Sequence, residues 1–165
     1  MSDRRITMTD AIPATMTLPR QRTVEKEPTS GSLDDRTFRR RILVVDHEVD
    51  ARNVLCDRLA YLGFDVVAED NGFSGLARIF RDWESSPFHG MLVELQMPIL
   101  GGLAVLQEMR DRFPSVPVMV MSDSHHIGKL RQALRLGAKE YLVKPFDMEL
   151  FRRKCESVFL EGRQV

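Results

Sequence analysis

The chain has 165 residues, of which 24 are basic and 24 acidic, so its formal net charge is zero. This length predicts one domain, and the lack of a basic excess argues against a dedicated nucleic-acid or membrane-surface binder. The longest apolar runs, at residues 42–45 and 118–121, fall far short of the ~18 residues that span a bilayer. Two cysteines, Cys56 and Cys155, favour a reducing, cytoplasmic compartment over a disulfide framework.

Composition separates the first 37 residues from the remainder. All seven threonines and three of the eight prolines lie there, and Phe38 is the first aromatic residue of the chain. Such a segment buries too little apolar surface to offset the entropy of ordering it. Residues 1–37 are therefore predicted to form a flexible tail, either a solvated extension or a docking peptide for a partner. A domain over residues 38–161 is predicted to follow, with a short C-terminal end at 162–165.

From residue 41 onward, strand patterns alternate with helix patterns. Residues 42–45 form a short apolar run rich in β-branched side chains, which is typical of a strand buried on both faces. A turn is predicted at Asn71-Gly72, after the second strand. The four further strands are predicted over residues 64–68, 91–95, 116–121 and 140–143.

The segments that follow these strands carry apolar residues at helical spacing. Asp50 is predicted to cap the first helix and Asp147 the fifth, while Gly63 and Gly137 are predicted to end the first and the fourth. The apolar positions of the five helices are Ala51, Val54, Leu55, Leu59 and Leu62; Phe73, Leu76, Ala77 and Phe80; Leu103, Leu106, Met109 and Phe113; Ile127, Leu130, Ala133 and Leu134; and Leu150, Phe151, Val158 and Phe159.

Strict alternation of strands and helices with short loops indicates a parallel sheet that is covered by helices on both faces. In such sheets, functional groups gather at the carboxyl ends of the strands, near the point where the strand order reverses. Carboxylates, a hydroxyl and a lysine stand at four of these ends, at Asp46, Glu94, Ser122 and Lys144.

Five sequence motifs stand out between about residue 41 and residue 160: Ile42-Leu43-Val44-Val45-Asp46, Asn71-Gly72, Met97-Pro98 with Gly102-Leu103, Gly137-Ala138, and Tyr141-Leu142-Val143-Lys144-Pro145-Phe146. Together they resemble the response-regulator receiver domains of two-component and phosphorelay signalling. The resemblance implies a flavodoxin-like, doubly wound (βα)5 sandwich of class α/β, with three layers and a five-stranded parallel sheet of order 2-1-3-4-5. It also implies a signalling role rather than an enzymatic one.

The resemblance assigns a role to each residue at the strand ends. In the family, an aspartate after the third strand accepts a phosphoryl group, and a pair of acids after the first strand helps to hold Mg²⁺. A serine or threonine and a lysine bind the phosphoryl oxygens, while a tyrosine or phenylalanine on the fifth strand reports the state. The corresponding positions here are Glu94 for the phosphoacceptor, Asp46 and His47 for the acid pair, and Ser122, Lys144 and Tyr141 for the others.

Four positions depart from the family pattern. Glu94 replaces the aspartate, and His47 replaces the second acid. Asp123 replaces the usual small residue after the serine, and Gly101 stands before Gly102 where Asp or Asn is common. Asp46 and Glu94 against Lys144 give a net charge of −1 with His47 neutral, whereas three carboxylates and one lysine would give −2. Because Mg²⁺ requires oxygen ligands in octahedral geometry, we expect weak or lost Mg²⁺ binding, no cofactor and no ordinary phosphorylation.

Glutamate carries its carboxylate ~1.5 Å further out than aspartate. The charge of Glu94 is therefore expected near the oxygens of a phosphoaspartate, where it could pair with Lys144 and accept a hydrogen bond from Ser122. Three outcomes remain open at this point: a fold locked in the active-like arrangement, a fold frozen in the inactive-like one, or a state chosen by partner binding.

A softer ion such as Zn²⁺ is an alternative ligand of this pocket. Asp46, His47 and Glu94 form a mixed set of imidazole and carboxylates of the kind that binds zinc. Lys144 competes for the same carboxylates, however, and the spacing matches no dedicated zinc motif. His125-His126 is more typical of a solvated start of the fourth helix than of a ligand pair.

The chain ends soon after the fifth helix, so a stand-alone receiver that acts through partners is predicted. The partner is expected to be a histidine kinase or an output protein. The alternatives are a phosphorylatable single-domain response regulator that uses Glu94 or another metal, and a structural homodimer. The expected contact face is formed by the fourth helix, the fifth strand and the fifth helix, with exposed basic candidates at Arg131, Arg135, Lys139 and Arg152.

Overall fold

A computed structural model of the protein describes residues 39–123 and 126–160. The predicted tail and the C-terminal end lie outside this part of the chain, so the domain boundaries stay predictions. Among the described residues, none of the helices combines the length and the hydropathy that crossing a bilayer requires. The elements are β1 (Arg41–Val45), α1 (Val49–Tyr61), β2 (Asp65–Glu69), α2 (Gly72–Asp82), β3 (Gly90–Glu94), α3 (Gly102–Arg112), β4 (Val118–Asp123), α4 (Ile127–Arg135), β5 (Glu140–Lys144) and α5 (Met148–Leu160).

The five strands form one parallel sheet in the order β2-β1-β3-β4-β5. The predicted doubly wound α/β class and the predicted strand order are therefore confirmed. The chain moves outward from β1 to β2 and then returns to β3 on the other side of β1. This reversal opens a crevice at the carboxyl ends of β1 and β3, which is where such folds place their functional groups.

The core has two hydrophobic layers, one on each face of the sheet. Leu43 and Val45 of β1 point into one layer, and Ile42 and Val44 point into the other. This alternation follows from the two-residue period of a strand, and both sets are apolar because both faces are covered. The first layer is completed by α2, α3 and α4, and the second by α1 and α5.

The helix ends agree with the sequence in part. Asp147 caps α5, since its Oδ1 accepts a hydrogen bond from the backbone N–H of Leu150 at 2.7 Å. Gly63 and Gly137 follow α1 and α4 with φ of 89° and 104°, a conformation that favours glycine. The predicted cap at Asp50 is wrong, because α1 begins at Val49 after Glu48 and Asp50 lies in its first turn. There its charge still complements the helix dipole.

The apolar stripe predicted for α2 is wrong at both ends. Phe73 is 70% exposed and Phe80 is 49% exposed, whereas Gly75 faces the sheet. A Cβ at Gly75 would lie 2.8 Å from the Cγ2 atom of Val45, so the helix approaches the sheet closely through its small residues. The predicted turn at Asn71-Gly72 is the start of this helix, where Asn71 Oδ1 accepts from a backbone N–H in the first turn.

Candidate functional site

Four strand ends meet at the carboxyl edge of the sheet. Asp46 directly follows β1, Glu94 is the last residue of β3, Ser122 lies near the end of β4, and Lys144 is the last residue of β5. The registers β3–β4 and β4–β5 place these ends side by side. Asp46, Glu94 and Ser122 are the buried polar or charged residues of the described chain. The predicted convergence of these residues is therefore present in the fold.

The ammonium group of Lys144 lies between two carboxylates. Its Nζ is 2.7 Å from Oε2 of Glu94 and 3.0 Å from Oδ2 of Asp46. The ion pair expected between Glu94 and Lys144 is thus confirmed, and it is extended by Asp46 to a triad. We call Asp46, Glu94 and Lys144 the ion-pair cluster.

Backbone amides satisfy the second oxygen of each carboxylate in the cluster. Oδ1 of Asp46 accepts from the N–H of Glu48 at 2.9 Å, and Oε1 of Glu94 accepts from the N–H of Gln96 at 3.0 Å. Both amides belong to the residue two positions further along the chain, so each loop folds back over its own acid. Buried carboxylates require such partners, because an unpaired buried charge is strongly unfavourable.

The cluster shifts the titration of its lysine. Burial lowers the pKa of the Lys144 ammonium, but the hydrogen bonds and negative charges of Glu94 and Asp46 together outweigh burial. The pKa of Lys144 therefore lies above its ordinary range. Lys144 is therefore positively charged at neutral pH, where it lies between the carboxylates of Glu94 and Asp46.

Ser122 does not make the hydrogen bond that was expected with Glu94. Its side chain is fully buried, and its Oγ has no partner among the described residues. The reason lies in Glu94, whose Oε2 is directed to Lys144 and whose Oε1 is directed to the amide of Gln96. The expectation was wrong, and the missing contact counts against a locked active-like arrangement.

We expect Ser122→Ala to leave the free energy of unfolding unchanged or to raise it by about 1 kcal/mol, because a buried hydroxyl without a partner is unfavourable. Urea denaturation measures this difference. Ser74→Ala is the matched control, since Oγ of Ser74 accepts from the side-chain amide of Asn71 at 2.9 Å and its loss should be destabilising. A loss of more than about 1 kcal/mol in the Ser122 variant would mean that its hydroxyl is paired in solution.

Tyr141, the predicted reporter on β5, is half-buried. Its ring packs against the hydrophobic layer formed with α2, α3 and α4. The ammonium of Lys154 on α5 lies 4.7 Å from the ring centroid, within the range of a cation–π contact. Tyr141 therefore connects β5 to α5 and is not fully directed into solvent.

The ion-pair cluster is a poor fit for the Mg²⁺ that the family resemblance implies. Oδ2 of Asp46 and Oε2 of Glu94 are both paired with Lys144. The second acid position holds the imidazole of His47. Nδ1 of His47 is 3.8 Å from Oδ1 of Asp46, and its side chain is 38% exposed. Within residues 39–123 and 126–160, no group of three or more His, Cys, Asp or Glu side chains is arranged to hold a metal ion. The zinc alternative at Asp46, His47 and Glu94 gains no support from this geometry.

The remaining predicted residues lie around this centre. Asp123 is exposed at the end of β4, and His126 precedes α4 as its N-cap residue. His125 lies outside the described residues. The sequence did not single out Arg52 of α1, whose Nη1 donates to the backbone carbonyl of Asp46 at 2.6 Å. The signal in the sequence is the spacing: Arg52 lies in the first turn of the helix that follows the buried Asp46, close enough to reach its backbone carbonyl.

The basic face predicted on α4, β5 and α5 is smaller than expected. Arg131, Arg135 and Lys139 are exposed, as predicted. Arg152 is half-buried in ion pairs with Glu149 at 2.8 Å and Glu156 at 3.0 Å. Its side chain is 40% exposed, but acids one turn before and one turn after it on α5 neutralise its charge, so it adds little to the basic face.

The fold and the strand-end residues define a receiver-type signalling domain. The family model of the response regulator receiver domain matches residues 42–156. The chain belongs to this family, whose domains interact with histidine kinases and output domains in two-component signalling.

Similar proteins agree with this membership. The regulatory protein AtoC of Escherichia coli (strain K12) is 34% identical over 109 residues, which cover 66% of this chain and 23% of AtoC. The probable transcriptional regulator ycf27 of Porphyra purpurea is 30% identical over 125 residues, covering 76% of this chain and 49% of that protein. The chain thus spans between about a quarter and a half of the length of these curated relatives.

Solved structures give the same result for the fold. The receiver domain of NtrX from Brucella abortus superposes with a TM-score of 0.67 at 28% identity, covering 73% of this chain and 99% of that one. The chemotaxis protein CheY4 of Vibrio cholerae has a TM-score of 0.65 at 21% identity, covering 73% of this chain and 98% of that one. The second likeness shows the fold alone.

Proposed function

We propose that the chain is an atypical receiver that signals through protein contacts and does not depend on phosphorylation. The observation that carries this proposal is the position of the Lys144 ammonium, 2.7 Å from Glu94 and 3.0 Å from Asp46. In a typical pocket of the family the surplus negative charge is neutralised by a metal ion. Here an internal lysine is bonded to both carboxylates, so weak or lost Mg²⁺ binding is part of the proposal.

In this proposal the residues at the strand ends have structural rather than catalytic roles. Glu94 stands at the phosphoacceptor position and fixes Lys144, while Asp46 and His47 stand at the acid-pair positions. Ser122 and Tyr141 remain at the switch positions. The chain therefore acts as a binding module rather than an enzyme, in the cytoplasm.

The partner is proposed to be a histidine kinase or an output protein. The contact face consists of α4, β5 and α5, where Arg131, Arg135 and Lys139 are exposed. These three cations form no ion pair among residues 39–123 and 126–160, which makes them available to acidic groups of a partner. A homodimer through the same face is the alternative, and light scattering distinguishes the two.

The test is incubation of the intact protein with acetyl phosphate and Mg²⁺, followed by mass spectrometry. We expect no added phosphoryl group and no rise of the thermal unfolding temperature with Mg²⁺. The reason is that Lys144 and backbone amides already pair with the carboxylate oxygens of Asp46 and Glu94. A relative that carries aspartate at the acceptor position serves as the positive control. Robust addition of one phosphoryl group to this chain would overturn the proposal.

One observation favours residual phosphoryl chemistry as the second candidate function. The buried Oγ of Ser122 has no partner in the described chain, and a hydroxyl at this position binds phosphoryl oxygens in the family. If the mass of one phosphoryl group were added, Glu94→Gln would show whether Glu94 accepts it. Loss of the added mass in this variant would assign the acceptor and establish the alternative of a phosphorylatable response regulator.

A further inference from the structure

A groove of about 540 Å³ lies between the loop that joins β3 to α3, the first turn of α3, and α4. Its walls are mostly apolar, and no acidic side chain of the described chain lines it. The polar side chains in it are Gln96 and Lys129, both of which carry hydrogen-bond donors. The lining residues are Leu95, Gln96, Met97, Gly101, Leu103, Ala104 and Lys129.

The donors of this groove have no partners of their own. Nε2 of Gln96 is buried and makes no hydrogen bond in the described chain. Lys129 forms no ion pair among residues 39–123 and 126–160. A buried amide N–H without a partner is unfavourable, so rotation of the Gln96 amide toward an acceptor in the groove would supply its missing hydrogen bond.

Helix α4, which supplies one wall of the groove, carries charge of one sign. Helix α4 contains Lys129, Arg131 and Arg135 and no acidic residue. Within the part of the chain that the structure describes, none of the three forms an ion pair. A ligand that enters the groove along α4 therefore meets a positive potential, which attracts carboxylates and repels basic segments.

Apolar side chains stand exposed at the edges of the same region. Ile99 is 86% exposed in the loop whose Met97 and Gly101 line the groove. Its φ is 71°, a conformation that is strained for a β-branched residue. Ile127, predicted to lie on the buried side of α4, is 61% exposed at the start of that helix. Large exposed apolar groups beside an apolar groove are typical of a protein-binding surface.

We propose that this groove docks an extended acidic peptide segment of a partner protein. An apolar side chain of the peptide lies against Met97 and Leu103, and carboxylates that flank it accept from Nε2 of Gln96 and from Lys129. The match of a groove without acidic side chains, walled by the basic helix α4, to an acidic ligand carries the assignment. The inference goes beyond the proposed function, because it requires neither the ion-pair cluster nor the surface of β5 and α5.

The test uses the full chain and two pools of fluorescein-labelled 12-residue peptides. Each peptide of the first pool has one fixed leucine with a glutamate on either side of it and uncharged residues elsewhere. The second pool has glutamine in place of both glutamates. We expect saturable fluorescence anisotropy with the acidic pool, binding at least about tenfold weaker with the glutamine pool, and a shift of the Gln96 side-chain amide signals in NMR spectra of the labelled protein.

Two pairs of variants locate the site. Lys129→Glu should weaken binding of the acidic pool at least about tenfold. Arg39→Glu, an equal charge change at an exposed residue outside both the groove and the proposed contact face, should not. Ile99→Asn should weaken binding without lowering the thermal unfolding temperature, since asparagine tolerates positive φ. Tyr61→Asn, at an exposed aromatic outside the groove, is the control for lost apolar surface.

Several outcomes would overturn the proposal. Absence of saturable binding, equal affinity for both pools, or equal effects of Lys129→Glu and Arg39→Glu would each do so. Concentration-dependent self-association that Lys129→Glu abolishes would assign the groove to a second copy of the chain instead. Because none of these readouts involves phosphorylation, failure here is distinguishable from failure of the proposed function.

Discussion

Lys144→Met is expected to lower the free energy of unfolding by about 3 kcal/mol at neutral pH. The substitution leaves the carboxylates of Asp46 and Glu94 buried without their shared cation, and removal of one partner from a buried ion pair costs about 3–5 kcal/mol. The lower end of that range applies because the Lys144 side chain is 21% exposed, so solvent partly screens the charges. Methionine keeps most of the side-chain volume, so the loss reports charge rather than packing.

The same variant has a distinct pH dependence. The pKa of Lys144 is raised in the folded state by Glu94 and Asp46 against the opposing effect of burial. Its contribution to stability is therefore complete below the ordinary lysine pKa of about 10.4. It declines as the pH rises through the raised folded-state value. The stability difference between the wild type and Lys144→Met should be constant from neutral pH to about pH 10 and should shrink above it.

Urea denaturation of both proteins across this pH range measures the difference, and titration of the other lysines and tyrosines cancels between them. Lys139→Met is the matched control, because Lys139 is exposed and forms no ion pair within residues 39–123 and 126–160. That variant should change stability by less than about 0.5 kcal/mol. If Lys144→Met were equally mild at neutral pH, the ion-pair cluster would not be the main electrostatic feature of this fold.

The alternation of strands and helices could be predicted from the sequence because its signals are local and repeated, whereas the strand order came from the family resemblance. The apolar run at residues 42–45 has both faces buried, as its β-branched composition indicated. Gly63 and Gly137 end helices for a steric reason that is visible in the sequence. The meeting of Asp46, Glu94 and Lys144 followed from their places at strand ends, because parallel strands bring their carboxyl ends to one edge.

The parts that failed depend on distances that the sequence does not contain. The prediction of which side of α2 faces the sheet was wrong. Periodicity favoured the phenylalanines, but Gly75 allows the helix to approach Val45 closely. The hydroxyl of Ser122 lacks its expected partner because Glu94 uses both oxygens elsewhere. The strained φ of Ile99 has no signal in a side chain that ordinarily avoids it. In α2 and at Ser122, the outcome depends on which neighbouring group occupies a given space or hydrogen bond.

The combined variant Glu94→Asp and His47→Asp is expected to gain both Mg²⁺ binding and phosphorylation by acetyl phosphate. The shorter side chain withdraws a carboxylate by ~1.5 Å from its position beside Lys144. The second substitution adds an acid next to Asp46, which restores three carboxylates to one lysine. Oxygen ligands and surplus negative charge are what Mg²⁺ requires, and the metal is what neutralises charge during phosphoryl transfer.

Calorimetric titration with Mg²⁺ and mass spectrometry after acetyl phosphate treatment measure the two gains. We expect Mg²⁺ affinity to rise at least about tenfold, equivalent to 1.4 kcal/mol, and one phosphoryl group to be added. Each single variant separates the contribution of side-chain length from that of charge, and Glu94→Asn with His47→Asn reproduces the packing of the double variant without its two carboxylates. A folded double variant that still binds no Mg²⁺ would show that Glu94 and His47 do not decide whether this pocket binds the metal. Asp123, exposed at the end of β4, would then be the next position to replace, since its charge opposes an incoming phosphate.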